Sequence, residues 1–273
     1  MADRGVDGAG GGRRIGLALL LAVIVAVTAT AALGDEAADI KRRWLPGIKG
    51  TDDRVLVEST TYPWSAIGRV NKSIGGYCTG TLIAPRTVLT AAHCLWNQRT
   101  GDWMPPSSMH FVAGYQRGEF VTHAKASALA VPDGYRPAKA SGPADPLRDW
   151  ALVTLEEPLG DRVGTIPVAA FSAAEPGPWL AKDAKLAQAG YSQDKPHILT
   201  LHDACTLRGF GRDGLLYHDC DATHGDSGSP ILGHRDGSIF IVAIHVATAR
   251  LAEGAVGVAV PGAVFASAAA KAK

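Results

Sequence analysis

Residues 78–94 read Cys78-Thr-Gly-Thr-Leu-Ile-Ala-Pro-Arg-Thr-Val-Leu-Thr-Ala-Ala-His93-Cys94. Two short runs rich in aliphatic and β-branched residues, Thr79–Ile83 and Thr87–Ala92, flank an Ala-Pro-Arg step, so the stretch predicts a strand, a tight turn and a second strand. The second run ends on a histidine beside a cysteine. An imidazole at the end of a strand can supply a base, although a lone histidine in such a place is ordinarily a packed residue. It needs partners elsewhere in the chain to carry chemistry.

Working outward, similar short runs recur at even spacing and predict strands over Ser65–Val70, Met109–Tyr115, Phe120–Ala130 and Trp150–Leu155. A proline- and glycine-containing stretch over 156–180 reads as a crossing between halves. A second set follows at Ala184–Gly190, Ile198–Leu207, Leu215–His218, Pro230–Leu232, Ser238–Ala247 and Gly254–Val260. The alanine-rich tail Val264–Lys273 predicts a short terminal helix. No long helical period interleaves the runs, which favours barrels over a parallel α/β sheet. The fold expected is all-β: two six-stranded antiparallel barrels, about 55–157 and 178–262, with a short C-terminal helix and an active site in the cleft between them.

The N-terminus stands apart. Arg4, Arg13 and Arg14 precede a charge-free apolar stretch from Ile15 to about Ala32, and Ala29-Thr30-Ala31 offers small residues for cleavage. Residues 1–33 therefore read as a secretory signal, or as an uncleaved membrane anchor, since the run approaches the ~18–20 residues that span a bilayer. Either way the expected location is outside the cytoplasm, secreted or periplasmic if the signal is cleaved. Residues 34–47, within a polar stretch holding Lys41, Arg42 and Arg43, read as a propeptide or linker, and 48–273 as the folded domain.

Lys and Arg number 27 against 26 Asp and Glu, a formal net charge of +1, which leaves no footprint for nucleic acid or an anionic membrane. A peptide or protein substrate is the partner expected, with the chain a monomer. Four cysteines in an exported chain suggest two disulfides. Three connectivities are open; the sequential one, Cys78 with Cys94 and Cys205 with Cys220, is the reading taken. A metal site from Cys205, Cys220, His202 and His218 fits no common zinc spacing. Metal-ligand and phosphate-binding motifs are absent from the sequence, so neither metal nor cofactor is expected.

The second chemical motif is Gly225-Asp226-Ser227-Gly228-Ser229-Pro230. A serine between glycines predicts a tight turn that exposes its hydroxyl and directs backbone N–H groups to one spot. Asp149 opens the apolar run Trp150–Leu155, whereas Asp133 and Asp145 lie in turn-rich stretches without a following strand. Serine needs a base, and the base needs an acid to fix its tautomer, so Ser227, His93 and Asp149 read as one catalytic set.

Residues 78–94, Gly190-Tyr191-Ser192-Gln193-Asp194-Lys195, Asp221 through Pro230 and Ile244-His245 together resemble the trypsin-like serine proteases, with most likeness to the bacterial glutamyl-endopeptidase branch. The resemblance spans roughly 48–265, and the order His, Asp, Ser is that of chymotrypsin-like enzymes. It implies a double β-barrel endopeptidase with His93, Asp149 and Ser227 catalytic and the N–H groups of Gly225 and Ser227 as the oxyanion hole. It implies a substrate pocket with Asp221, Ala222 and His245. An acid six residues before the serine suits a basic substrate, but the glutamyl branch also tends to carry an acid there, so Asp221 leaves the preference open; His245 suits an acidic one. The branch often has a hydroxyl residue where this chain has Ala222. The trypsin-type start is absent, and the branch implies a mature chain beginning between about Arg43 and Lys49, with Asp226 as a receiver for a freed α-amine. An inactive, protease-shaped binding module is the alternative from another functional class.

Overall fold

A computed structural model describes Met1, Leu45 and residues 47–137, 145–175, 186–252 and 254–272. The chain divides into two compact units, Met1–Leu45 and Pro46–Lys273. The signal or anchor reading of 1–33, and most of the linker, lie outside the described residues. No helix among the described residues is long and apolar enough to cross a membrane.

In the second unit the first half is a closed antiparallel barrel. A short strand β1 (Val55–Val57) precedes it. The barrel strands are β2 (Ile67–Lys72), β3 (Tyr77–Ala84), β4 (Thr87–Thr90), β7 (Met109–Ala113), β8 (Thr122–Ala130) and β9 (Ala151–Leu155), ordered β2-β3-β4-β9-β8-β7. A small hairpin, β5 (Trp96–Asn97) with β6 (Asp102–Trp103), projects after β4. Closure leaves no free edge, so each strand's backbone groups are paired within the barrel. Ile67, Leu82, Leu89, Phe111 and Leu155 are fully buried and fill its interior.

The second half comprises β10 (Leu186–Gly190), β11 (Leu199–Cys205), β12 (Leu207–Phe210), β13 (Leu216–His218), β14 (Pro230–Arg235), β15 (Ser238–Leu251) and β16 (Gly254–Pro261). With β1 they form one eight-stranded antiparallel sheet, ordered β1-β11-β10-β14-β15-β16-β13-β12. Its inner six strands are the runs read from sequence; β1 and β12 are added at the two ends. Val55–Val57, assigned from sequence to the first barrel, instead pairs with β11 through Val55↔Leu201 and Val57↔Leu199. A short segment leading into a barrel gains more backbone bonds by extending the other half's edge strand. The crossing carries a short helix at Gly160–Val163 and returns along Ile241, whose carbonyl accepts from Ala169 N–H and whose N–H donates to the Pro167 carbonyl.

One apolar cluster joins the halves: Leu82, Leu89 and Leu155 belong to the same packed set as Ala187, Tyr191, Leu199 and Ile244. The terminal helix Gly262–Lys271 buries Phe265 against Trp150, and Thr87 Oγ1 donates to the Ala272 carbonyl. Both disulfides form in the sequential pairing, Cys78–Cys94 and Cys205–Cys220. The four sulfurs are thereby excluded as thiolate ligands.

Candidate active site

Strand register brings the histidine and the acid together. Thr90, the last residue of β4, pairs with Ala151, the first of β9. His93 leaves the barrel three residues after the one, and Asp149 enters two residues before the other, so both emerge at one rim. His93 Nδ1 lies 2.8 Å from Asp149 Oδ2, and the His93 backbone N–H donates to Asp149 Oδ1 at 2.9 Å. The carboxylate grips ring and main chain at once, which fixes the ring's orientation and places its proton on Nδ1. Asp149 is mostly buried while His93 keeps 30% of its side chain exposed, leaving Nε2 accessible. Burial and the adjacent Asp149 carboxylate push the Tyr135 hydroxyl well above its ordinary value, so this phenol stays neutral beside the acid. Asp145 caps the short turn before Asp149 and pairs with Arg148, which removes it as a competitor for His93.

Ser227 arrives from the second half. Its carbonyl accepts from Thr79 N–H on β3 at 3.0 Å and lies 3.9 Å from Cys94 Sγ, which is itself 3.8 Å from His93 Nε2. Serine and histidine thus flank one disulfide. Ser227 Oγ has no hydrogen bond among the described residues. Gly225 and Gly228 have φ of 94° and 81°, the left-handed region that favours glycine. A Cβ on Gly225 would strike the Tyr191 carbonyl oxygen, and one on Gly228 the Thr79 carbonyl oxygen and Thr90 Oγ1. Across 225–229, the N–H groups of Asp226, Gly228 and Ser229 are taken by Thr223, His245 and Asp226 carbonyls. Those of Gly225 and Ser227 have no acceptor among the described residues.

Asp226 is fully enclosed and accepts from Thr223 N–H at 2.6 Å and Ser192 Oγ at 2.7 Å. Burial pushes its carboxyl up to about 6 despite those donors. Asp221 also faces away from solvent. Its Oδ1 accepts Lys49 N–H at 2.7 Å, and its Oδ2 accepts Asp53 N–H at 3.2 Å and lies 3.6 Å from His202 Nδ1. The side chain is 0% exposed. Asp221 thereby braces residues 49–53. Ala222 is fully buried, and its N–H donates to the Gly47 carbonyl at 3.1 Å.

His245 lies behind the serine turn: its N–H donates to the Ser229 carbonyl, and its own carbonyl accepts from Gly228 N–H. Its Nδ1 is 3.1 Å from Nε2 of His218, an enclosed histidine that the sequence raises only within a rejected metal set and not as a partner of His245. Burial, with the fields of Lys49 and His93, holds His245 at about 3, and burial first, then His245, holds His218 well below its ordinary range. Both rings are neutral at pH 7. Lys49, also missed, donates Nζ to the Gly47 and Cys220 carbonyls, and burial lowers it to about 8. Nothing local points to these contacts of His218 and Lys49, because the partner of each lies far along the chain.

A family model described as trypsin matches residues 54–268. Glutamyl endopeptidase of Bacillus licheniformis is 32% identical over 123 residues, covering 44% of this chain and 36% of that protein. Serine protease 23 of Bos taurus is 29% identical over 220 residues, covering 72% and 54%. The chain thus spans about a third to a half of the length of these curated relatives. A solved Glu endopeptidase structure superposes with a TM-score of 0.65 at 24% identity, covering 83% of this chain and 100% of that one. A protease, Anisep, from Arthrobacter nicotinovorans gives 0.58 at 20% identity, over 80% and 99%. At those identities the two structures speak for the fold alone. The family model spans most of the chain, and on that ground the protein belongs to the trypsin family of serine proteases.

Proposed function

We propose that this protein is a serine endopeptidase that hydrolyses peptide bonds through an acyl-enzyme on Ser227. The observation that carries the reading is the 2.8 Å His93–Asp149 bond, facing a glycine turn whose Gly225 and Ser227 N–H groups are unengaged among the described residues. In this reading His93 Nε2 takes the proton of Ser227 Oγ as that oxygen attacks the substrate carbonyl. The imidazolium is stabilised by Asp149, and the oxyanion by the two N–H groups. The C–N bond breaks as His93 passes its proton to the leaving amine. Water then repeats the sequence on the ester and releases the acid.

The test is labelling by a serine-reactive phosphonate. Labelling of the native protein that vanishes in Ser227→Ala and drops sharply in His93→Ala is the expected result. A folded, oxidised protein that stays unlabelled, even after trimming before residue 48, would leave the inactive binding module.

An acidic residue on the acyl side of the cleaved bond is the preference favoured. The Asp221 side chain is fully buried and bonded to residues 49 and 53, so a substrate's Lys or Arg would find no exposed carboxylate there. His218 Nδ1 is buried without a partner among the described residues. Buried lone pairs are tolerated better than buried N–H groups, which assigns the His218 proton to Nε2, donating to His245 Nδ1. His245 then keeps its proton on Nε2, a donor suited to a carboxylate, in the positive field of Lys49. The glutamyl endopeptidase name of one relative agrees with this preference. Matched peptides with Glu, Gln or Arg at that position decide it. Glu ahead of Gln by tenfold or more is expected, and equal or faster cleavage after Arg overturns it.

A further inference from the structure

Residues 47–54 precede the first strand yet bond to the loops that surround the serine. Arg54 is the centre of that contact. Its side chain is only 1% exposed, and its guanidinium fork engages two carboxylates. Nη1 and Nη2 donate to Asp194 at 3.0 and 2.7 Å, while Nε and Nη2 donate to Asp52 at 2.8 and 2.9 Å. Lys195 closes the cluster on its outer side, at 2.9 Å from Asp52 and 3.0 Å from Asp194.

The cluster continues toward the serine turn. Asp194 Oδ1 also accepts from Thr223 Oγ1 at 3.1 Å, and Thr223 N–H donates to Asp226 at 2.6 Å. Beside it, Gln193 N–H donates to the His224 carbonyl at 2.6 Å. Gly225 lies directly on this wall, for a Cβ there would meet the Tyr191 carbonyl oxygen, the Tyr77 ring and Gln193 N. Segment 191–194 thus packs directly against Gly225, and Arg54 grips its last residue, Asp194. Planar two-point bonding gives direction as well as strength, which a lysine in this place would not supply.

We infer that Arg54 is a positioning residue: acting through Asp194 and Thr223, it holds segment 222–227 so that the N–H groups of Gly225 and Ser227 point to one place. The inference rests on the endopeptidase reading for its catalytic consequence, and on the geometry alone for its structural one. The link is absent from the sequence pattern because Arg54 and Asp194 are 140 residues apart.

The test compares Arg54→Lys, Thr223→Val, Thr223→Ser and the Arg54→Lys/Thr223→Val double variant, in protein with both disulfides formed. Steady-state kinetics should show kcat lowered about 10- to 100-fold in Arg54→Lys and Thr223→Val, with KM within about threefold, since misplaced oxyanion donors act on the transition state. Thr223→Ser, which keeps the hydroxyl, should restore most of kcat. The double variant should lose no more than the worse single one, because both break the same chain of bonds. Unchanged kcat, a loss carried by KM, a Ser variant as poor as Val, or additive losses would each overturn the inference. Hydrogen exchange gives a readout independent of activity. Amides of 222–228 should exchange faster in Arg54→Lys and Thr223→Val while those of β7 and β8 do not. An unlabelled, inactive native protein would sink the endopeptidase reading, and the exchange comparison would still decide whether Arg54 holds the segment: faster exchange at 222–228 supports it, unchanged exchange overturns it.

Discussion

The rim that carries His93 and Asp149 and the segment from Asp221 to Ser227 solve two different problems. The first needs two side chains at a fixed separation. A closed barrel provides this through the Thr90↔Ala151 register, and one carboxylate then holds both the ring and the backbone of His93. In the proposed mechanism the second needs backbone N–H groups aimed at a point, a property of conformation and not of any side chain. It is reached with two positive-φ glycines and two buried acids: Asp221, whose two oxygens accept the Lys49 and Asp53 N–H groups, and Asp226, whose Oδ2 accepts from Thr223 N–H and Ser192 Oγ. Side-chain chemistry is thus carried by a rigid scaffold, while backbone chemistry depends on braces brought from elsewhere.

The largest effect should come from the rim. Asp149→Asn is expected to keep the fold and lower kcat about 10⁴-fold, because an amide favours the wrong imidazole tautomer. Rapid-quench acylation rates would measure it, and a loss under tenfold would remove Asp149 from the set. Next comes the turn itself. Gly225→Ala should cost about 10²–10³ in kcat as the added methyl forces the turn off the Tyr191 carbonyl. If it cost nothing, the contrast between rim and turn would collapse. Disulfide loss should affect both regions equally in stability, about 3 kcal/mol for either pair changed to serine, since the loops span 16 and 15 residues. Denaturant midpoints would read this. Cys78–Cys94 flanks both His93 and Ser227, so its removal should lower turnover more than loss of Cys205–Cys220.

The smallest effect concerns pH. Asp226 titrates near 6 in the folded protein against an ordinary value of 3.8, so the folded state holds its proton more tightly. Its contribution to stability is full below about pH 4 and is lost as pH rises through about 6. Asp226→Asn should accordingly raise the thermal midpoint relative to the native protein at pH 8 and leave it nearly unchanged at pH 3.5. Asp194 has the opposite sign. Burial alone would raise it, but Arg54 and Lys195 hold it at about 2, so its contribution is present above about pH 4 and fades as pH falls toward 2. A gain in Asp226→Asn that was equal at both pH values would contradict the assignment.

Much of this architecture was legible in the chain. Strand runs and turns are local features, and the inner six strands of the second sheet coincide with the runs read from it. The edge strands β1 and β12 were missed because Val55–Val57 and Leu207–Phe210 are short and take their identity from a neighbour. Asp221 shows the limit more sharply. Its distance from Ser227 suggested a substrate-facing acid, and the fold turns it toward Lys49 and Asp53.

By itself the sequence determined the alternating strands, the glycine turn around Ser227, and the candidacy of His93 and Asp149, since periodicity, turn chemistry and residue type act over a few neighbours. Only the tertiary structure decided that His218 backs His245, that Arg54 reaches Asp194 and that Lys49 N–H meets Asp221. These partners lie 27, 140 and 172 residues apart. Burial makes such polar contacts obligatory, yet which distant group satisfies a buried one depends on how the two halves pack, and no local pattern encodes that.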